Sequence, residues 1–255
     1  MRKVYILPNL ITAASLFCGL LSITYIFRSD YEVACYLILI SALLDGLDGK
    51  LAHLTRTQSA FGLHFDSLSD VVAFGVAPAM LIYSWMQAIT TSGTGKVAAG
   101  VAALYAICGA LRLARFNVQA LREEKKNFTG LPIPAAAGAV VSTFLALWRT
   151  GLWREEGGAV LLKVLPVIVV GLAYLMVSNI PYPSLKNIDL RQRKPFDYLV
   201  LIVVVVCFMV GLWQMQTLIL FLGFWGYVAW GLAGRFLRAH KPQQSPVPGI
   251  TLHKQ

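Results

Sequence analysis

Tyr198 to Gly234 runs 37 residues without a charged side chain, and Val4 to Phe27 runs 24. About 20 apolar residues suffice to cross a ~30 Å hydrocarbon core, so both stretches read as transmembrane. As a single helix the longer run would measure about 55 Å, too long even with tilt, and it is predicted to fold back on itself. Trp213-Gln214-Met215-Gln216 is the expected bend, because tryptophan suits an interface and glutamine suits a polar turn. Charged residues make up only 13% of the chain against about 25% in a soluble domain, and the mean hydropathy is +0.66. The ~10-residue alternating segments of a membrane β-barrel are not evident. The expected class is therefore an all-α polytopic membrane bundle.

Eight spans are predicted, at roughly 5–27, 32–54, 63–88, 97–118, 130–148, 160–182, 197–213 and 216–235. Arg2 and Lys3 before an apolar run imitate a secretory signal, but the run is long and Pro8-Asn9 interrupts its start, so it is read as the first span. With the N-terminus in the cytoplasm, 17 of the 22 Lys and Arg fall on the inner side. Only Arg28, Lys96, Arg149, Arg154 and Lys163 fall outside, the distribution the positive-inside rule asks for. The net charge of +10 is thus mostly topology, with attraction to anionic lipid as a secondary role. One membrane domain is expected over 1–240, with its core at 5–190 and two extra spans at 197–235, followed by a polar, Pro-rich, disordered tail at 241–255. Cys18, Cys35, Cys108 and Cys207 are scattered through apolar segments and read as small buried hydrophobes.

The acids are the informative residues. There are 12 in all, and Asp45, Asp48, Asp66 and Asp70 fall within one short stretch. Val33 to Leu44 offers 12 uncharged residues, too few to cross alone, so the second span must continue through Asp45 and Asp48. Carboxylates at or near membrane depth are costly and by default mark function. Asp45 and Asp48 are spaced i, i+3 and Asp66 and Asp70 i, i+4, so each pair shares a helical face. A short loop around Thr55–Phe61 lets the two helices run antiparallel with the pairs opposed. Four convergent carboxylates repel unless cations offset them, and oxygen-only ligands select Mg²⁺, Mn²⁺ or Ca²⁺ over zinc. Two such ions suit displacement at phosphorus. Helix capping does not explain two facing pairs; a cation-transport site competes on spacing alone. Gly46, Gly49 and Gly62 surround the acids, either for close helix packing or to let a nucleotide approach the backbone, and packing logic leaves the two even.

Asp45-Gly46-Leu47-Asp48-Gly49-Lys50-Leu51-Ala52-His53, then eight residues, then Gly62, Asp66 and Asp70 resembles the CDP-alcohol phosphotransferase signature D-x-x-D-G-x-x-A-R…G-x-x-x-D-x-x-x-D. Ser67–Pro78, Arg112–Asn117, Gly130–Ala137 and Val177–Lys186, with Pro8-Asn9 and Thr12, resemble the membrane-embedded bacterial and archaeal phosphatidylserine synthases in particular. The likeness runs from residue 5 to about 190; the last two spans add little to it.

That resemblance implies a reaction in which CDP-diacylglycerol and L-serine give phosphatidylserine and CMP, in the cytoplasmic membrane of a prokaryote. It implies two divalent cations, Mg²⁺ or Mn²⁺, held by Asp45, Asp48, Asp66 and Asp70, with Asp70 also the general base on the acceptor hydroxyl. It implies contacts from Gly49, Ser59 and the position of His53 to the CDP moiety, with Gly62 beside them and Asn9 near the second metal. It also implies a homodimer. The family carries Arg where this chain has His53, and neutral His lacks the permanent charge and the phosphate fork. Arg56, one turn on, is expected to supply that charge, with Lys50 as another candidate. For the serine carboxylate the inner-side cations are Arg112, Arg115 and Lys186. The alternative acceptors are glycerol 3-phosphate, inositol phosphate and choline, and the alternative of another class is a divalent-cation transporter.

Overall fold

The structure is a computed structural model and describes residues 6–55, 59–89, 95–121, 130–151, 157–180 and 216–239. These residues form helices and the turns that join them, with no strand among them. α1 is Ile6–Phe27, α2 Tyr31–Thr55, α3 Ala60–Asp70, α4 Ala77–Ile89, α5 Gly95–Leu121, α6 Ile133–Thr150, α7 Gly157–Val177 and α8 Gln216–Ala239. A six-residue π-helical segment, Val71–Val76, joins α3 to α4. Asp70 and Ala77, at its two ends, keep right-handed helical angles, so Ala60–Ile89 is one continuous rod with a wider turn in its middle. Seven of the eight predicted spans correspond to these helices; the one at 197–213 lies outside the described residues, as does most of the bend before Gln216. Leu7–Phe27, Phe61–Ala88, Gly95–Val118 and Ile133–Thr150 are each long and apolar enough to cross a membrane. The chain is an integral membrane protein.

Pro8 does not break the first helix. It is the third residue of α1, in the turn whose N–H groups have no intrahelical acceptor, so its missing N–H costs nothing there. α1 then turns tightly through Arg28–Asp30 into α2, and the two run antiparallel along most of their length. Leu10, Phe17, Leu20 and Phe27 face outward on α1, as lipid-facing residues do.

The core is built around α6, whose residues from Ala136 to Leu145 are all buried. Without a hydrophobic drive between helices in lipid, close approach and van der Waals contact hold such a bundle. Gly138 is where α8 rests: a Cβ there would stand 2.1 Å from the Phe224 ring. Gly19 plays the same part between α1 and the π segment, where a Cβ would lie 2.8 Å from the Ala73 Cα. Phe144 gathers an aromatic cluster from three helices, with ring centroids 4.8 Å from Trp85 and 5.6 Å from Tyr31. At the same end of the bundle Arg149 donates to Glu32 and to the Tyr36 hydroxyl, both at 2.8 Å, tying α6 to the start of α2.

α6 begins three residues later than predicted. Gly130, at φ +84°, donates its N–H to the Ile180 carbonyl at 2.8 Å, and Leu131 donates to Leu175 at 3.0 Å. The segment before α6 is thus spent on satisfying the end of α7, which stops at Val177 rather than near 182.

Candidate active site

α2 carries Asp45 and Asp48 well inside its length, and α3 carries Asp66 and Asp70. Asp70 stands at the N-cap position of the π segment but makes no side-chain cap hydrogen bond there. The N-cap of α3 is Ser59, whose Oγ accepts from the Gly62 N–H at 3.0 Å, and α2 continues past the acids to Thr55. One carboxylate oxygen from each of Asp45, Asp48 and Asp66 falls within 4.8 Å of the other two. Asp70 stands against this trio, in hydrogen-bonding contact with Asp45 and within electrostatic reach of Asp66 and Asp48. Asp48 is 5% exposed and Asp70 8%, while Asp45 and Asp66 are half-buried.

The donor set fits a hard divalent cation. All donors are oxygen, and ligands on opposite sides of a Mg²⁺ stand about 4.2 Å apart, close to the spread found here.

Asp48 is itself held. Thr12, buried on α1, donates from Oγ1 to Asp48 Oδ2 at 2.7 Å. Ser69, the neighbour of Asp70, donates to the Thr12 carbonyl at 3.2 Å. α1 therefore touches both acid-bearing helices at one residue.

The glycines separate into two kinds. A Cβ on Gly46 or Gly49 would meet nothing within 4 Å among the described residues, and both are exposed. Among the described residues, then, neither glycine sits in a close helix contact. Gly62 is tight instead, with its Cβ position 3.1 Å from Ser59 Oγ and 3.4 Å from Asn9 Oδ1. Asn9, Ser59 and Gly62 thus meet where α1 crosses the start of α3. Ser59 has structural work as the cap of α3.

Lys50 and His53 lie on α2, but their side chains, like Arg56 and Lys186 altogether, fall outside the described residues. The two arginines of α5 are placed differently from each other. Arg112 is half-buried, within electrostatic reach of Asp70 and of Tyr227 on α8, and its buried Nε has no hydrogen-bond partner among the described residues. Arg115 turns to the end of α7, donating from Nη1 to the Val177 carbonyl at 2.9 Å and to Asn179 Oδ1 at 3.2 Å. Asn117 donates to Ser67 Oγ at 2.9 Å, locking α5 to α3 beside the acids. His64, on α3 between the Gly62 and Asp66 positions, is exposed.

Sequence reasoning missed three things here. Thr12 had a signal, since Asn9, Thr12 and Ser15 make a polar stripe at i, i+3, i+6 along an apolar helix. The π segment had none, because Val-Val-Ala-Phe-Gly-Val suits an α-helix as well. Tyr227 had none either: it is one aromatic on a span that the motifs do not reach, and only the docking of α8 on α6 brings it to Arg112.

Residues 5–173 match the family model described as CDP-alcohol phosphatidyltransferase. The chain is 38% identical over 232 residues to the CDP-diacylglycerol–serine O-phosphatidyltransferase of Helicobacter pylori (strain ATCC 700392 / 26695), covering 90% of this chain and 92% of that one. It is 41% identical over 179 residues to the archaetidylserine synthase of Methanothermobacter thermautotrophicus, covering 69% of each. To the CDP-diacylglycerol–serine O-phosphatidyltransferase of Mycobacterium leprae it is 36% identical over 197 residues, covering 72% of this chain and 60% of the other. A match over most of the length, with the four aspartates drawn together on two helices, means that the chain belongs to the CDP-alcohol phosphatidyltransferase family.

Proposed function

We propose that this protein is a phosphatidylserine synthase, transferring the phosphatidyl group of CDP-diacylglycerol to the hydroxyl of L-serine. The bond formed joins the serine oxygen to the phosphorus that bears diacylglycerol. The bond broken is the anhydride P–O bond, whose oxygen leaves with CMP. The names of relatives that align over most of the chain support serine as acceptor. The observation that carries the reading within the site is Asp70, buried against the other three acids with the cation Arg112 beside it.

Asp45, Asp48 and Asp66 are the ligands of the cation site, with Asp70 contributing to a second position. When bound, two divalent cations, Mg²⁺ or Mn²⁺, supply charge neutralisation at the diphosphate and at the departing CMP. Asp70 accepts the proton of the serine hydroxyl as attack proceeds, because that hydroxyl is a poor nucleophile at neutral pH. Gly46 and Gly49 give the nucleotide space against α2, and Ser59, Gly62 and Asn9 border it. Lys50, His53 and Arg56 are the groups that answer the diphosphate charge, Arg56 standing in for the arginine that His53 replaces. Arg112 receives the serine carboxylate, a role supported by its buried Nε having no hydrogen-bond partner among the described residues. Arg115 is employed at the end of α7, which leaves Arg112 and Lys186 as the acceptor cations.

The positive-inside distribution supports a site facing the cytoplasm of a prokaryote, with acyl chains entering from the bilayer and serine from the water. Residues 1–240 act as one catalytic domain ahead of a tail at 241–255, and the protein works as a homodimer. Purified protein with CDP-diacylglycerol and Mn²⁺ is expected to release CMP with serine. Release with glycerol 3-phosphate, inositol phosphate or choline but not serine would change the acceptor. Metal flux in vesicles without any CMP release would turn the site into a transporter's.

A further inference from the structure

Thr12 has no part in the reaction proposed above, yet it is the residue on which two acid-bearing helices converge. It is 5% exposed in an otherwise apolar helix, and its hydroxyl has one proton and two acceptors in reach. The Asp48 carboxylate is at 2.7 Å and the Pro8 carbonyl, one turn back on α1, at 3.1 Å. The shorter bond is to the charged partner, where a hydroxyl proton is held more strongly. Its backbone carbonyl meanwhile accepts from Ser69, immediately before Asp70.

We propose that Thr12 is a positioning residue for the cation site, holding Asp48 through Oδ2 so that its other oxygen faces Asp45 and Asp66. A buried carboxylate on a helix has two χ angles to fix, and nothing apolar fixes the second. The hydroxyl does so, and it fixes it relative to α1, which is anchored to α3 through the same residue. The close approach of Gly19 to Ala73, two turns along α1, keeps that helix from sliding on the π segment. Asp48 and Asp70 are thus hung from a common point, although they belong to different helices. Groups that orient a ligand in this way typically change metal affinity or activity by about 10- to 100-fold when removed.

The inference rests on the cation site proposed above, and direct Mn²⁺ binding separates the two. Full-length protein in detergent is titrated with Mn²⁺ by calorimetry and by the rise in melting temperature. If wild type binds no Mn²⁺, the cation site itself fails. If wild type binds, Thr12→Val, which keeps the shape without the hydroxyl, is expected to bind about 10- to 100-fold more weakly, with its melting temperature in EDTA close to wild type. Thr12→Ser restores the hydroxyl and is expected to bind like wild type. Thr24→Val removes an exposed hydroxyl of the same helix that donates to the Leu21 carbonyl, away from the acids, and is expected to change nothing. Should Thr12→Val not fold, Thr12→Cys, a weaker donor of similar shape, is expected to give an intermediate loss. Wild-type Mn²⁺ affinity in Thr12→Val or Thr12→Cys overturns the proposal, and so does loss of affinity in Thr12→Ser equal to that in Thr12→Val.

Discussion

Arg115 donates from Nη1 to the Val177 carbonyl, 2.9 Å away, and in doing so closes the C-terminal end of α7. Arg112, three residues earlier on the same helix, lies within electrostatic reach of Asp70, and its buried Nε has no hydrogen-bond partner among the described residues. One arginine is therefore a fastener and the other has capacity left for a ligand. Arg112→Gln is expected to raise the serine KM at least tenfold while the KM for CDP-diacylglycerol changes little. Arg115→Gln is expected to spare the serine KM and to lower stability by about 0.5–1.5 kcal/mol, the net worth of a typical hydrogen bond, since one of its bonds is part-buried and the other exposed. Initial rates against each substrate, with melting curves in detergent, decide it.

Asp70 and Asp48 are expected to fail in different ways. Asp70→Asn cannot accept a proton, and kcat is expected to fall about 10²- to 10⁴-fold with Mn²⁺ still bound at the position held by Asp45, Asp48 and Asp66. Asp48→Asn removes a charge from the trio and is expected to lose Mn²⁺ binding first. EDTA is expected to abolish CMP release from wild type, and added Mn²⁺ to restore it. Full activity in Asp70→Asn would remove Asp70 as the base.

Gly19 meets backbone rather than the end of a flexible side chain, so the fold cannot give way cheaply there. Gly19→Ala is expected to push α1 off the π segment and to cost about 1–3 kcal/mol, the range for overpacking. Because Thr12 rides on the same helix, the variant is also expected to lower kcat. A melting curve and a CMP assay on one preparation test both.

The Glu32–Arg149 bridge is the contrasting case. Its partners are 43% and 24% exposed, so the pair is worth no more than about 1 kcal/mol. Glu32 lies 16 residues from Asp48 on one helix, about 24 Å away. Glu32→Gln is expected to lower the melting point slightly and to leave CMP release unchanged; a loss of activity would mean that the two ends of α2 are coupled.

Much of this was readable from residue order. Charge-free length located α1 and α8, and i, i+3 and i, i+4 spacing put the acids of α2 and α3 on shared faces, because both depend only on helix geometry. The ends of α6 and α7 were not readable, since Leu131 and Arg115 satisfy α7 carbonyls through contacts between distant segments. Nor was the reason for the glycines: Gly46 and Gly62 look alike in sequence, but one borders open space and the other presses on Ser59. The partnership of Tyr227 with Arg112 depends on α8 seating on Gly138, which no local pattern encodes.

The wide turn at Val71–Val76 has a consequence for how this rod tolerates change. Each residue of an α-helix advances the face by about 100°, so an uninterrupted helix would tie the direction of Asp66 and Asp70 to that of Leu81, Ile82 and Trp85. The wide turn acts as a phase joint. The carboxylates look toward α2 while the apolar residues beyond look into the bundle, each half keeping its own azimuth. Substitutions along the rod are absorbed locally, but removing one residue from the joint would rotate one half against the other and turn either the acids away from α2 or the tryptophan out into lipid.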